Sequence, residues 1–238
     1  MDNRELTLVE HLSELRKRII ICLVSLLITS ICAFSFASGI LRLLRLPSKG
    51  LIERLVFFSP QEAFLVYVKV AIFSGLVISM PIILYQLWRF ISPAIEERLR
   101  KYTINFILLS LIAFICGLSF AYFFLLPTAL RFLLNFARDN LEPVISVGKY
   151  LSFVLGLILG CGLVFEMPVL SFILSKLGII NPKFLRKKFK YAVILIFIVA
   201  AIITPTPDVF NMIILAIPML FLYELSIWVS KLARKRGI

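Results

Sequence analysis

Six apolar runs, almost free of charge and each about as long as a bilayer is thick, decide what this chain can fold into. They cover 19–38, 62–88, 102–130, 150–175, 191–207 and 209–230, and the charges inside them are Glu62, Lys69, Glu166 and Glu224. A helix rising 1.5 Å per residue needs about 20 residues to cross roughly 30 Å of hydrocarbon. Lipid offers the backbone no hydrogen bonds, so only helices and closed barrels span it, and continuous runs of this length read as helices. Hydrophobic residues make up 61% of the chain and charged ones 16%, far from the roughly even apolar share of a soluble domain. The expectation is an all-α polytopic membrane protein of six transmembrane helices, forming a single integral membrane domain over 1–238.

The net charge of +13 reads as an orientation signal. An even number of spans puts both termini on one side. Segments on that side carry four Lys and Arg in 1–18, four in 89–101, six in 176–190 and four in 231–238; the opposite loops carry four in 39–61 and three in 131–149. The basic excess marks the cytoplasmic face, so both termini are expected inside, against anionic lipid and with no nucleic-acid partner. The first apolar run is longer than a signal-peptide core and follows 18 charge-rich residues, so it reads as a retained span.

Outside the spans the chain is informative in a few places. In 40–47 leucines line one face, with Arg42 and Arg45 three apart, which predicts a short surface helix stopped by Pro47. Ser59-Pro60-Gln61-Glu62 reads as a cap and first turn leading into the second span. The third run is 29 residues, about 43 Å as a helix, with Pro127 placed to bend its outer end. The fifth and sixth spans are expected to be short, because Thr204-Pro-Thr-Pro207 closes one early and Glu224 interrupts the other.

The few acids are placed selectively. Glu166 stands alone in the fourth run, where a carboxylate costs several kcal/mol unless it faces protein or water, and such residues usually mark a function. The alternative is a carboxylate held for helix packing. On the cytoplasmic side, acids occur only in the N-terminal segment and at Glu96 and Glu97, whereas 176–190 and 231–238 have none. A cationic ligand could dock only in that acidic corner. A guanidinium grips a carboxylate by a planar two-bond fork, so adjacent arginines would call for two separately placed carboxylates, such as Glu14 with Glu96 or Glu97. Two alternatives stand beside this: Glu14 is also spaced to pair with Lys17 or Arg18 on one helix face, and Ser92-Pro93 with Glu96 and Glu97 is also a good helix start. One His and four Cys without paired spacing predict no metal, no cofactor and no Ser/His or Cys/His catalytic pair, hence no enzyme.

Several separated motifs resemble the TatC family, the multi-spanning receptor subunit of the twin-arginine protein translocase. They are His11-Leu-Ser-Glu-Leu-Arg-Lys-Arg18, Pro81-Ile-Ile-Leu-Tyr-Gln-Leu-Trp-Arg-Phe-Ile-Ser-Pro93, Tyr150-Leu-Ser-Phe153, Phe165-Glu-Met-Pro168, Leu185-Arg-Lys-Lys188 and Thr204-Pro-Thr-Pro-Asp-Val-Phe210. The resemblance implies a curved set of six helices with a concave, partly hydrated face. It implies binding of Arg-Arg signal peptides of folded cargo at the cytoplasmic face of a bacterial or archaeal inner membrane. It further implies assembly with TatA/TatB-type single-span partners into an oligomeric complex driven by the proton-motive force. Carried over residue by residue, the signal-peptide groups fall on Glu14, Arg16 and Phe90, the intramembrane acid on Glu166, the outer-loop proline on Pro47 and the outer acid on Asp208. The family's loop acid falls on Leu99 here; Glu96, three residues earlier, is the expected stand-in, with Glu97 second.

Overall fold

A computed structural model describes residues 8–52, 54–91, 103–135, 144–203 and 209–235. In chain order its helices are α1 (Leu8–Phe34), α2 (Ala37–Arg45), α3 (Pro60–Ile91), α4 (Thr103–Phe120), α5 (Leu126–Asn135), α6 (Val147–Val164), α7 (Met167–Lys176), α8 (Pro182–Lys187), α9 (Phe189–Ile203) and α10 (Val209–Lys235). Among the described residues, five helical stretches are long and apolar enough to cross a membrane: Leu12–Phe34, Pro60–Phe90, Thr103–Asn135, Val147–Lys176 and Met212–Ala233; Phe189–Ile203 is a sixth, shorter apolar helix. The chain divides into two compact units, Met1–Ser38 with Tyr67–Leu111, and Gly39–Val66 with Ile112–Ile238.

In the first unit α1 and α3 are tied at two levels. Arg18 donates to Gln86 at 3.3 Å and Thr29 donates to the Gly75 carbonyl at 2.8 Å. Eleven residues separate Arg18 from Thr29 on α1, and eleven separate Gln86 from Gly75 on α3, so the helices run antiparallel without a slip in register. At Gly75 the two backbones approach closely: a Cβ there would lie 2.6 Å from the Ser30 nitrogen and 2.7 Å from its Cα. Small residues permit such backbone approach in lipid, where apolar burial drives little association. Leu23, Leu27 and Ile31, one helical turn apart, stay exposed and form a surface suited to acyl chains.

The second unit is centred on α6, α7 and α10. Leu151, Val154, Leu157, Leu215 and Ile227 are fully buried, and Ser175 and Ser230 share a 2.5 Å hydrogen bond that joins α7 to α10. The expected short helix before Pro47 is α2. Its last carbonyls, which a helix end leaves unpaired, accept from side-chain hydroxyls: Leu43 from Tyr122 at 2.8 Å, Leu44 from Tyr150 at 3.0 Å and Arg45 from Ser48 at 2.8 Å. Pro47 sits in the single 3-10 turn that follows, Leu46–Ser48.

Two irregularities have proline causes. Ahead of Pro127 the third apolar run widens into one π-helical turn, Ala121–Leu125, and the Leu126 N–H reaches back to the Ala121 carbonyl. The proline ring collides with the carbonyl four residues before it, and a widened turn moves that carbonyl aside. The fourth run is not one helix: it breaks at Phe165 and Glu166, between α6 and α7. Pro168 has no N–H to return to Val164, so the ladder is interrupted there. At the other end of α7, Gly178 at φ 72° lets Ile179 N–H bond the Leu174 carbonyl at 3.0 Å and Gly178 N–H the Ser175 carbonyl at 3.2 Å, a left-handed stop that favours glycine.

The all-α expectation gains one small exception. Leu55–Val56 (β1) and Ile145–Ser146 (β2) pair in parallel, Leu55 opposite Ile145 and Val56 opposite Ser146. As expected, α9 is short, 15 residues. In the sixth span the uncharged part, 209–223, is short, but the helix itself continues through Glu224 for 27 residues.

Candidate functional site

The acidic corner expected from the sequence begins on α1. Glu14 and Arg18 are one turn apart on one face and form an ion pair, the local alternative weighed above. Their side chains are 28% and 11% exposed, respectively. Arg18 uses its other terminal nitrogen on Gln86 of α3, so the pair is pinned to the neighbouring helix. Gln86 was not singled out from the sequence, although it is the one amide in an apolar stretch, which is a usable signal. The register carries one step further: four residues before Arg18 is Glu14, and four after Gln86 is Phe90, so Glu14 and Phe90 lie at one level. Phe90 is half-buried. Arg16, two residues and about 200° round the helix from Arg18, is exposed and outside this cluster. Trp88, between Gln86 and Phe90 in sequence, is buried with its ring 4.8 Å from that of Phe106. Glu96, Glu97 and the Leu99 position lie outside the described residues, as does Asp208.

Glu166, in the second unit, is 6% exposed and occupies the break between α6 and α7. Its backbone is well used: its N–H bonds the Leu163 carbonyl at 3.2 Å, and its carbonyl accepts from Leu170 at 2.9 Å. Its carboxylate does not cap α7. Phe165 beside it lies 5.6 Å from Phe120, ring to ring.

A second carboxylate proves more connected than the sequence suggested. Glu62 accepts from the N–H of Phe58 at 2.9 Å and of Gly148 at 2.8 Å, and from the Ser146 hydroxyl. Ser146 itself caps α6 by accepting from Lys149. Glu62 therefore serves the first turns of α3 and α6 together, where helix dipoles favour negative charge. Glu224 bonds Arg186 of α8 at 3.0 Å, and Lys231 lies 5.7 Å from the Trp228 ring centre. Pro47 is half-buried in its turn, in keeping with the turn-making role. Among the described residues no three His, Cys, Asp or Glu side chains gather to hold a metal ion.

These features define a multi-pass helical membrane protein in which polar side chains among the described residues join helices to one another. Residues 10–218 match the family described as Sec-independent protein translocase protein (TatC). The chain is 42% identical to the Sec-independent protein translocase protein TatC of Carboxydothermus hydrogenoformans, over 99% of this chain and 97% of that protein. It is also 42% identical to the TatC of Aquifex aeolicus, over 96% of each. A crystal structure of the twin-arginine translocase receptor TatC superposes with a TM-score of 0.87 at 41% identity, covering 94% of this chain and 100% of that one. The chain belongs to the TatC family: it is a membrane component of the Sec-independent protein translocase and not an enzyme.

Proposed function

We propose that this protein is the receptor subunit of a twin-arginine translocase, a single integral membrane domain set in the cytoplasmic membrane with both termini inside. It binds Arg-Arg signal peptides of folded cargo, with Glu14 holding one guanidinium and Glu96 the other. Glu97 is the second choice for the loop carboxylate, Phe90 packs beside the pair, and Arg16, exposed on another side of α1, makes a separate contact with the signal peptide. The observation that carries this reading is the α1–α3 register, in which a carboxylate and an aromatic ring share one level at the end of two tied helices. The superposed crystal structure, that of a twin-arginine translocase receptor, supports the same ligand.

After docking, the apolar part of the signal peptide inserts beside the helices. Glu166 then holds water and polar groups of TatA/TatB-type single-span partners, in an oligomeric assembly driven by the proton-motive force and surrounded by anionic lipid. Pro47 and Asp208 serve the outer side, as a turn and a helix cap. The test is crosslinking of the detergent-solubilised protein to an Arg-Arg signal peptide. E14Q and E96Q should each lower it strongly, and unchanged crosslinking in both would refute the docking step.

A further inference from the structure

We propose that Arg18 is an internal ligand of the arginine-recognition site, a guanidinium that an arriving signal-peptide guanidinium must displace from Glu14. The proposal rests on the reading of Glu14 as a receptor carboxylate and adds what sets its affinity. Arg18 fills the position that the docking step needs: one terminal nitrogen is on the Glu14 carboxylate and the other is 3.3 Å from the Gln86 amide oxygen. It is held, yet not fully satisfied. Its Nε is buried and makes no hydrogen bond among the described residues, and a buried donor left without a partner costs free energy. Glu14 keeps 28% of its side chain exposed, so the carboxylate can be reached while Arg18 still sits on it. Gln86 gives the displaced guanidinium a place to stay: Arg18 can leave Glu14 and keep its bond to α3.

The physical consequence concerns the binding threshold. A competitor built into the chain weakens every ligand of Glu14 by the same factor, whatever the ligand. A planar guanidinium fork, which binds the carboxylate by two bonds, still competes at working concentration. An ammonium, already the weaker ligand, is pushed below it. Arg18 thereby turns a difference in affinity into a difference in occupancy without changing the ratio of the two affinities.

The experiment measures binding of fluorescent Arg-Arg and Lys-Lys signal peptides to the purified full chain in lipid nanodiscs, for the wild type, R18Q, E14Q and the double variant. R18Q should tighten both peptides equally, by about two- to fivefold, the strength of a part-exposed ion pair within one helix, and this gain should vanish in the E14Q background. R18K, which keeps the cation without the fork, should tighten both by a smaller equal factor and serves if R18Q does not fold. Unchanged or weaker Arg-Arg binding in R18Q overturns the proposal and makes Arg18 a positioning group for Glu14; so does a shift in the Arg-Arg to Lys-Lys ratio. Loss of Arg-Arg binding in E14Q keeps the receptor reading whichever way R18Q falls, whereas full binding in E14Q ends both.

Discussion

Glu62 and Gly148, 86 residues apart, are joined by a 2.8 Å hydrogen bond from the Gly148 N–H to one carboxylate oxygen, and the other oxygen accepts from Phe58. One side chain thus holds the beginnings of α3 and α6 together next to the β1–β2 pair. Glu62→Ala removes every acceptor at once and leaves the Gly148 and Phe58 N–H groups to find water. Glu62→Gln keeps a single acceptor oxygen. The expected order of thermal stability in detergent is wild type, then E62Q, then E62A. Gly148→Ala belongs with the weakened set, because its Cβ would come within 2.7 Å of the bonded Glu62 oxygen. Equal melting temperatures for wild type and E62A would remove this side chain from the account of the fold.

The α1–α3 crossing at Gly75 gives a steeper prediction. A methyl at Gly75 meets the Ser30 backbone, at 2.6 and 2.7 Å, as well as its hydroxyl. Gly75→Ala therefore forces the helices apart, at a cost of about 1–3 kcal/mol, as overpacking usually does. Ser30→Ala should not rescue it, since the backbone atoms stay in place. The readout is thermal unfolding of the single and double variants; recovery in the double would show that only the hydroxyl was in the way.

How much of this was legible beforehand depends on range. The apolar helices, the short helix ahead of Pro47 and the short fifth apolar helix follow from local composition; among the described residues five helices are long and apolar enough to span, and Phe189–Ile203 is a sixth, shorter one. Glu14 with Arg18 was one of two local pairings on offer, because i,i+4 partners are readable along a helix. The break at Glu166 was not read from its proline, because proline alone is ambiguous in an apolar helix: α3 runs on through Pro81 and α10 through Pro218. The bonds of Glu62 to Ser146 and Gly148, and of Arg18 to Gln86, span 68 to 86 residues. No single-chain periodicity encodes those distances. The bond of Glu224 to Arg186 of α8, 38 residues away, is equally invisible along one helix.

At the α6–α7 break, Pro168→Ala restores an N–H opposite the Val164 carbonyl and lets the ladder close. The variant should show slower amide exchange across 164–170, with stability within about 1 kcal/mol of wild type, the gained bond being set against the freedom the unfolded chain regains without proline. If the break is what presents Glu166, export and partner assembly should fall even though the helix is sounder. Glu166→Ala should impair the same functions while the protein still inserts. Normal export by both variants would return Glu166 to a packing role.

Glu224 tests the opposite expectation, that an acid inside a predicted span need not be functional. Its bond to Arg186 is short, 3.0 Å, but the two side chains are 34% and 58% exposed. Water or lipid headgroups can replace either partner, and pairs of this exposure are worth about 0.2–1 kcal/mol. Helix α8 has a second tie to α10, the Tyr223 hydroxyl on the Leu185 carbonyl at 2.9 Å, which does not depend on charge. Glu224→Gln should therefore leave melting and export close to wild type, with any loss shrinking further at high salt as screening weakens the pair it removed. Tyr223→Phe should cost more than E224Q, because it strips a part-buried bond and leaves the Leu185 carbonyl to be resolvated. A larger loss in E224Q than in Y223F, insensitive to salt, would mean that the carboxylate is held by something stronger than this exposed pair.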